Sequence, residues 1–410
     1  TTVTGKLDLG GFSTAIGSLA GAGTVDNSTG TGVYTLTAGA DTTSTTFSGT
    51  IKNTTGSVAL TKTGPGTMTL SGSNTYSGPT TISAGTIRIG SANSIPSTTA
   101  LAANGTLDLG GFGATFASLK GSGVVDNTTG TGAYTLTIGS DTAAATFSGS
   151  IKNTSGTVAM TKIGTGMFTL AGSSTNTGKT TASRGTLVVT GSLASQVAVD
   201  SGATLAGTGT VGGEIVVSGG TVQAGSPTAV GTLGANRLDL SNATVSTLKI
   251  RVKGTVKPGI DYDRLTLSDT LVLGGASELD IDLAGLSGIG TASGIVTAAG
   301  ISGTFKTVKF LNYAGSSAPT ILYRTKSVDL VFKNTAPSFT AGPSATIPED
   351  TASTSIAGWA TGITTGSSEE SSQILSFTTT NSNNALFSTQ PAVSANGTLT
   401  FMPAPNANGS

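Results

Sequence analysis

Short segments of the chain alternate apolar and small polar residues with a period of two. A period of two puts every second side chain on one face of an extended chain, so each segment predicts a short, half-buried β-strand. Glycine and asparagine breaks, which supply the positive φ angles of turns, lie between the segments. The clearest segments are 33–37, 58–61, 68–71 and 86–89, and the clearest breaks are 26–30, 53–56 and 64–66.

The absence of a helical pattern makes the predicted fold all-β. No segment longer than ten residues carries a capped apolar stripe of helical period. Two all-β architectures fit such strands, a sandwich and a parallel β-helix in which successive coils hydrogen-bond to one another. The composition favours the β-helix, because 61 glycines, 5% aromatic residues and a single tryptophan suit tight corners around a narrow interior. Coils of roughly 20 to 25 residues are expected.

The chain also contains an internal repeat. A shift of 100 residues superimposes 5–90 on 105–190 without a gap, with 51 identities in 86 positions. A tandem duplication explains this identity. Because the unit repeats without insertions, we expect each copy to add a whole number of equivalent layers to an elongated rod.

Composition and charge exclude several classes of function. The chain has no histidine and no cysteine, so it cannot form a Ser-His-Asp triad, a thiolate or imidazole zinc site, or a disulfide. Twenty basic and twenty acidic residues cancel, and no basic block is present, so no nucleic-acid partner is expected. The uncharged stretch 283–305 is too rich in Gly, Ser and Thr to predict a membrane span.

The two copies share a pattern of lysine, glycine and leucine that runs from Leu60 to Ile87 in the first copy. Asn176 replaces the tyrosine that stands at position 76. This pattern resembles the autotransporter-associated β-strand repeat of bacterial surface proteins. Segments 202–213 and 262–267 resemble the terminal part of such passenger rods. The positions kept in the second copy are Lys162, Gly164, Gly166, Leu170, Gly172, Gly178, Thr180, Gly185, Thr186 and Leu187.

The resemblance implies a right-handed parallel β-helix, exported to the cell surface, with an adhesive or scaffolding role. Together with the 100-residue repeat, the resemblance gives the rod a first repeat unit at 1–100, a second at 101–200 and a terminal β-helix segment at 201–333. The outer-membrane barrel that ends true autotransporters does not follow in this sequence. The opening residues read as the middle of a strand, which favours a fragment of a longer chain.

The composition changes after residue 333, where six prolines and the tryptophan occur. Segments 337–339, 347–351, 375–377, 397–401 and 405–409 resemble bacterial cadherin-like or immunoglobulin-like repeats. Residues 334–410 are therefore expected to form an Ig-like β-sandwich that stops before its last strands. Either the sequence is an excerpt, or the segment 1–4 of a second copy completes the sandwich by strand addition and builds a head-to-tail fibre.

Four aspartates are candidates for chemistry. Asp280 and Asp282 share a face of a predicted strand, while Asp261 and Asp263 flank Tyr262 beside Arg264. β-Helical lyases and hydrolases hold acidic and basic residues in grooves of this kind, and a glycosidase needs two carboxylates at the cleaved bond. The acids here are sparse, so solvated strand faces are the favoured interpretation.

Two other patterns are candidates for binding sites. Gly207, Gly209 and Gly212 match a dinucleotide-binding spacing, but no helix follows to face a phosphate. The acidic pairs 349–350 and 369–370 could serve a calcium ion at a domain junction, although local solubilising charge is the favoured interpretation.

The sequence therefore predicts a non-enzymatic, extracellular structural protein, in which a β-helical stalk or fibre segment has a scaffolding or adhesive role. No catalytic, cofactor-binding or metal-binding residue is assigned. Its expected partners are itself, through head-to-tail assembly, or surface glycans and proteins. The alternative is a carbohydrate-binding or carbohydrate-cleaving β-helix protein of the cell surface.

Overall fold

The computed structural model describes residues 1–288, 290–313, 315, 318–366, 370–371 and 373–409. Their regular structure is β-strand, apart from a 3₁₀ turn at Asn384–Leu386. The predicted all-β class is confirmed.

Most strands are short, from two to six residues, because each is one side of a coil and ends at a corner. The strands before residue 104 are β1 (Lys6–Asp8), β2 (Thr14–Ile16), β3 (Thr24–Asp26), β4 (Val33–Ala38), β5 (Thr45–Phe47), β6 (Thr50–Ile51), β7 (Ser57–Lys62), β8 (Thr67–Leu70), β9 (Thr80–Ile82), β10 (Thr86–Ile89) and β11 (Ala100–Ala103). The next are β12 (Thr106–Asp108), β13 (Ala114–Phe116), β14 (Ser118–Lys120), β15 (Val124–Asp126), β16 (Ala133–Ile138), β17 (Ala145–Phe147), β18 (Ser150–Ile151), β19 (Thr157–Lys162), β20 (Met167–Leu170), β21 (Ser173–Ser174), β22 (Thr180–Ala182) and β23 (Gly185–Val189).

Longer strands appear further along the chain. They run through β24 (Ser192–Leu193), β25 (Val197–Asp200), β26 (Ala203–Gly207), β27 (Thr210–Ser218), β28 (Thr221–Ala224), β29 (Thr232–Leu240), β30 (Ser246–Arg251), β31 (Arg264–Leu267), β32 (Thr270–Leu273), β33 (Ser277–Asp282), β34 (Thr291–Thr297), β35 (Gly300–Ser302), β36 (Thr307–Leu311), β37 (Thr320–Tyr323) and β38 (Ser327–Val331). The last strands are β39 (Ser338–Thr340), β40 (Thr354–Ile356), β41 (Thr361–Thr364), β42 (Phe387–Val393) and β43 (Leu399–Pro403).

The strands wind into a parallel solenoid with three strands in each coil. β12 pairs directly with β15, and the chain passes through β13 and β14 between them. β13 pairs with β16 in the same parallel sense, and a parallel bridge from Gly121 to Phe147 links β14 to β17. Each coil therefore lays one strand on each of three faces, which confirms the predicted parallel β-solenoid.

The coils differ in length. The register advances 17 residues from Leu205 to Val222 and 33 residues from Leu238 to Leu271. The expected length of 20 to 25 residues therefore fits only part of the rod. The strands keep their spacing while the corners absorb the difference, from tight glycine turns to excursions such as residues 252–263, between β30 and β31.

Aligned aliphatic side chains fill the interior. On one face Leu187, Leu205, Val222, Leu248 and Leu279 occupy successive rungs of the ladder, and all are fully buried. Burial of one such side chain contributes roughly 1.5–3 kcal/mol relative to exposure. The core is therefore a continuous column along the rod.

The second copy of the repeat is turned by one face relative to the first. One six-stranded sheet has the order β5-β8-β10-β12-β15-β18, so three strands of the first copy continue into three of the second. The second-copy counterparts of β5, β8 and β10 are β17, β20 and β23, which lie in a different sheet. The expectation that each unit adds a whole number of layers is wrong, because the unit does not contain a whole number of three-strand coils.

The two ends of the solenoid differ. After the last coils the chain reverses: β34 pairs in parallel with β31 but antiparallel with β38, which pairs with β37. This hairpin covers the edge of the last sheet. At the other end Thr2 bridges Ala20, and the amino terminus donates a hydrogen bond to the carbonyl oxygen of Ser18 at 2.8 Å. Residues 1–4 thus belong to the first coil.

Two small antiparallel sheets follow the solenoid. β39 pairs with β41, and β43 lies between β40 and β42. Two edge-to-face aromatic pairs pack there, Phe339 with Phe377 at 4.9 Å and Phe387 with Phe401 at 5.9 Å between ring centroids. Among the described residues of this segment, the buried apolar side chains are Ala360 and Phe401. A complete Ig-like sandwich stays a prediction.

Candidate functional site

Asp280 and Asp282 lie on the outer surface of β33, as their spacing predicts. β33 is the middle strand between β30 and β36, so Lys249 and Lys309 stand beside Asp280 in the register. Lys309 Nζ lies 2.7 Å from Glu278 Oε2, and Lys249 Nζ lies 3.9 Å from Asp282 Oδ2. The acids of β33 therefore lie between lysines of the two neighbouring strands.

Asp280 differs electrostatically from its neighbours. Its Oδ1 is buried and has no hydrogen-bond partner among the described residues. Burial raises the pKa of this carboxyl, and the nearby Glu278 carboxylate adds to the shift. Asp282, in contrast, accepts hydrogen bonds from Ala284 N and Asn312 Nδ2. A carboxyl of raised pKa near a second carboxyl of lowered pKa, here Asp282, is a general acid-base pattern, although the flanking lysines already pair with Glu278 and Asp282.

Asp261 and Asp263 hold the excursion loop between β30 and β31. Asp263 is fully buried, and its Oδ2 accepts from Arg251 Nε at 2.9 Å while its Oδ1 accepts from Gly231 N at 2.9 Å. Burial raises the pKa of Asp263, and the Arg251 contacts offset part of the shift. Asp261 Oδ2 accepts from the backbone nitrogens of Val256 and Lys257. The structure does not bring these acids together with Asp280, and both have structural roles.

Of the glycines in the pattern 207–212, Gly207 and Gly209 lie at a corner of the solenoid and Gly212 lies within β27. A Cβ at Gly207 would lie 1.9 Å from the carbonyl oxygen of Val189, and one at Gly209 would lie 2.0 Å from that of Gly191. These glycines are required because successive corners stack closely. The segment continues into strand β27, so no helix terminus faces a phosphate.

The acidic residues of the last segment make separate local contacts. Asp350 Oδ1 accepts from Asn406 N at 2.9 Å, and Glu370 Oε1 accepts from Thr335 N at 2.6 Å. Glu369 lies outside the described residues. Within the described part of the chain, no group of three or more acidic side chains is arranged to hold a metal ion.

Buried asparagines connect adjacent coils, a role that the sequence did not reveal beyond turn formation. Asn127 is fully buried. Its Oδ1 accepts from Gly111 N at 2.8 Å, and its Nδ2 donates to the carbonyl oxygens of Thr129 and Ser155 at 2.6 and 2.7 Å. Asn27 makes the equivalent contacts in the first copy. One side chain therefore fixes corners of three successive coils.

The aspartates that precede these corners form a second set of connections. Asp108 Oδ2 accepts from Thr128 Oγ1 at 2.6 Å and from Arg88 Nε at 2.7 Å. Asp126 repeats the contact one coil later, with Thr154 Oγ1 at 2.7 Å. Burial disfavours ionisation of Asp108, but hydrogen bonds from Thr128 and Arg88 outweigh it and hold the pKa below its usual value. These carboxylates are committed to stability rather than to a ligand.

The lysine of the repeat pattern points into the rod. Lys62 and Lys162 are each 1% exposed. Lys162 Nζ donates to the carbonyl oxygens of Ile163, Gly164 and Arg184 at 2.6, 3.0 and 3.2 Å. Burial lowers the pKa of both amino groups. The ammonium group thus caps carbonyls at a corner, and the glycine that follows each lysine makes that corner possible.

Comparison with known proteins identifies the same segments. Residues 60–89 and 160–189 match the family model of the passenger-associated-transport-repeat. The chain contains passenger-type repeats. It is also 39% identical, over 138 residues, to the adhesin BmaC autotransporter of Brucella suis biovar 1 (strain 1330). The similar region is 33% of this chain and 4% of that protein.

The matched repeats correspond to defined parts of the solenoid. Each begins in a long strand, β7 or β19, and ends at β10 or β23. Each matched repeat contains the buried lysine and the corner whose carbonyl oxygens that lysine binds. The residues of the family pattern therefore build the coil. The autotransporter-like, repeat-containing β-helix predicted from the sequence is confirmed. No helix in the described residues is long and apolar enough to cross a membrane.

Proposed function

We propose that this chain is part of the surface-exposed passenger of a bacterial autotransporter-like adhesin, in which the β-helix is a rigid stalk that carries an adhesive surface. The passenger-type repeats and the similarity to an adhesin support this proposal. The observation that carries it is the unbroken parallel pairing from β17 to β36 in one eight-stranded sheet. Continuous pairing makes a rod stiff without disulfides.

We propose that the rod is right-handed. Crossover connections between parallel strands of one sheet are right-handed in about 98% of proteins, because of the strand twist. The resemblance to passenger rods gives the same hand. The proposed localisation is the cell surface or the extracellular medium.

A non-enzymatic role fits the way the charged side chains are used. The buried acids Asp108, Asp126 and Asp263 hold corners or loops, and the buried lysines cap carbonyls. A catalytic site needs groups that are free to contact a substrate.

Adhesion of the purified chain tests the proposal. Electron microscopy of the purified chain should show single rods. Beads coated with the chain should attach to host-cell monolayers more than beads coated with an unrelated β-solenoid. Compact particles, or attachment no higher than the control, would contradict the proposal.

The second candidate is a carbohydrate-binding or carbohydrate-cleaving protein, and the partnerless Oδ1 of Asp280 is the observation that favours it. Turnover of a polysaccharide that is abolished by Asp280→Ala or Asp282→Ala would support cleavage. The control is Asp269→Ala, an exposed carboxylate near a corner. Equal turnover by all variants would reject a role for β33.

Self-assembly and the domain boundaries stay predictions. Head-to-tail strand addition by residues 1–4 would first break the hydrogen bond from Val3 N to Ala20 O, which is 2.8 Å long. Sedimentation of the chain across a concentration series tests assembly, since a fibre grows with concentration and a monomer does not. The proposed units remain 1–100, 101–200, 201–333 and an Ig-like segment at 334–410.

A further inference from the structure

A groove opens on one face of the rod where the first repeat copy meets the second. Its volume is about 480 Å³, and it lies between the segment 92–98 and the start of β13. This volume is within the range of about 300–1,000 Å³ that is typical of small-molecule sites.

The groove exists because the ladder on this face is interrupted. The backbone of Asn74 donates to Asn93 O at 3.1 Å, but the chain then turns, with Ser94 N bonded to Ser91 O and Thr99 N bonded to Pro96 O. Pro96 has no N–H, so it cannot continue a ladder. β13 pairs only with the later strand β16 among the described strands. The two coils separate at this point.

The second copy provides an internal comparison. Ser173, the counterpart of Ser73, bonds through its Oγ to Ser192 Oγ at 2.7 Å. The strands β21 and β24 that contain these serines pair directly, and β24 pairs with β27. The ladder is continuous there, so the same serine lines a groove in the first copy and a closed sheet in the second.

The lining of the groove is uncharged and rich in hydroxyl groups. Ser73, Thr75, Ser97, Thr98 and Thr115 line it, and none of these hydroxyls has a hydrogen-bond partner within the described residues. An ionic ligand would find no counter-charge among the lining side chains.

The floor of the groove adds apolar and polar contacts. Pro96 supplies an aliphatic surface next to the amide of Asn93, and Ile95, which is 8% exposed, adds a small part of it. Ser94, between these lining residues, is fully buried, and its Oγ has no partner in the described chain. Free hydroxyls beside an aliphatic patch fit a ligand that carries both hydroxyl groups and C–H faces.

We infer that this groove binds a neutral oligosaccharide. An extended peptide fits less well, because strand addition needs a row of free backbone groups, whereas the unpaired edge of β13 is three residues long and the segment opposite it is made of turns. The inference rests on the proposed adhesive function and names a ligand class for it. The groove does not include Asp280, so the inference does not depend on a catalytic role of β33.

A glycan array that contains neutral, sialylated and sulfated oligosaccharides tests the inference, with the full chain as the probe. We expect binding to neutral glycans. Ser73→Trp and Thr98→Trp should each weaken it by about tenfold or more, because an indole fills the groove and removes a hydroxyl. Ser173→Trp is the matched control and should leave binding unchanged, and thermal midpoints of all variants check that they fold.

Three outcomes would overturn the inference: no neutral glycan bound, equal binding by the Ser73→Trp and wild-type chains, or displacement of the glycan by an extended peptide. Attachment to host cells distinguishes failure of the glycan-binding inference from failure of the proposed adhesive function. If wild type and Ser73→Trp attach equally, adhesion uses another surface. If neither attaches, the adhesive function itself is wrong.

Discussion

At the scale of single residues, buried polar side chains fix the alignment of one coil on the next. An aliphatic column tolerates small slips, because dispersion contacts have little directionality. Asn127, Asp108 and Lys162 instead make directed bonds to backbone groups of other turns or coils. They specify which corner lies above which.

Replacement of Asn127 by alanine should therefore be costly. The variant leaves Gly111 N, Thr129 O and Ser155 O without their side-chain partner, and we expect a loss of about 3 kcal/mol in the free energy of unfolding. Urea denaturation followed by circular dichroism measures it. Asn242→Ala, at an exposed corner, is the control and should change stability by less than about 0.5 kcal/mol. Equal effects of the two variants would refute the proposed role.

The carboxylates predict the acid response of the rod. Hydrogen bonds hold the folded-state pKa of Asp26, Asp108 and Asp239 below the unfolded value of about 4. Their contribution to the free energy of unfolding is complete above the unfolded-state pKa and is lost as the pH falls through the folded-state pKa. Asp263 and Asp280, whose pKa is raised, act in the opposite direction.

More of the described acids have a lowered pKa than a raised pKa. We therefore expect the urea concentration at the unfolding midpoint to decrease as the pH is lowered from about 5 to about 2, because the carboxylates that stabilise the fold are then protonated. Asp108→Asn should be less stable at pH 7 and should show a smaller fall. A midpoint that rises on acidification would contradict this sign.

The sequence revealed the residue types at these positions but not their partners. Asn127 is the second-copy counterpart of Asn27 in the predicted break 26–30, yet its contact with Ser155 depends on the length of the intervening coil. Coil length varies from corner to corner and is not encoded in a local pattern. The inward position of Lys162 was missed because a lysine on an alternating strand is normally expected to face solvent.

At the scale of the strands, alternation identified the longer ones correctly. The predicted segments 33–37, 58–61, 68–71 and 86–89 correspond to β4, β7, β8 and β10. Two-residue strands such as β6 and β18 are too short to show a period. The pairing partners could not be predicted either, because they follow from coil length rather than from the strand itself.

A proline in a central strand tests the parallel ladder. Thr161 faces outward on β19, which is paired on both sides, to β16 and β22. Thr161→Pro removes a ladder donor and should destabilise the chain by about 3 kcal/mol or more. Thr161→Ala at the same position keeps the donor and should cost less than about 1 kcal/mol. Thermal midpoints of the two variants distinguish loss of pairing from loss of the side chain.

At the scale of the whole molecule, the solenoid and the last segment should differ in local stability. The solenoid contains the continuous buried column, whereas few apolar residues are buried among the described residues after 333. Local opening needs little free energy where few apolar contacts must be broken.

Limited proteolysis measures this contrast. A non-specific protease should cut first within 334–409 and leave a resistant fragment that contains the solenoid, which mass spectrometry identifies. Amide hydrogen exchange should be slow from β12 to β33 and fast after β38. Early cuts between β12 and β33 would show that the column is not the most stable part.

The second repeat copy is rotated by one face relative to the first, and this rotation affects what each added copy contributes to the rod. A binding patch present in both copies would face two different directions around the rod, and the patch of a third copy would face the remaining direction. Tandem duplication therefore supplies coverage around the circumference as well as reach. A surface that approaches the rod from any side would meet the same patch, so the orientation of the stalk about its own axis would cease to matter.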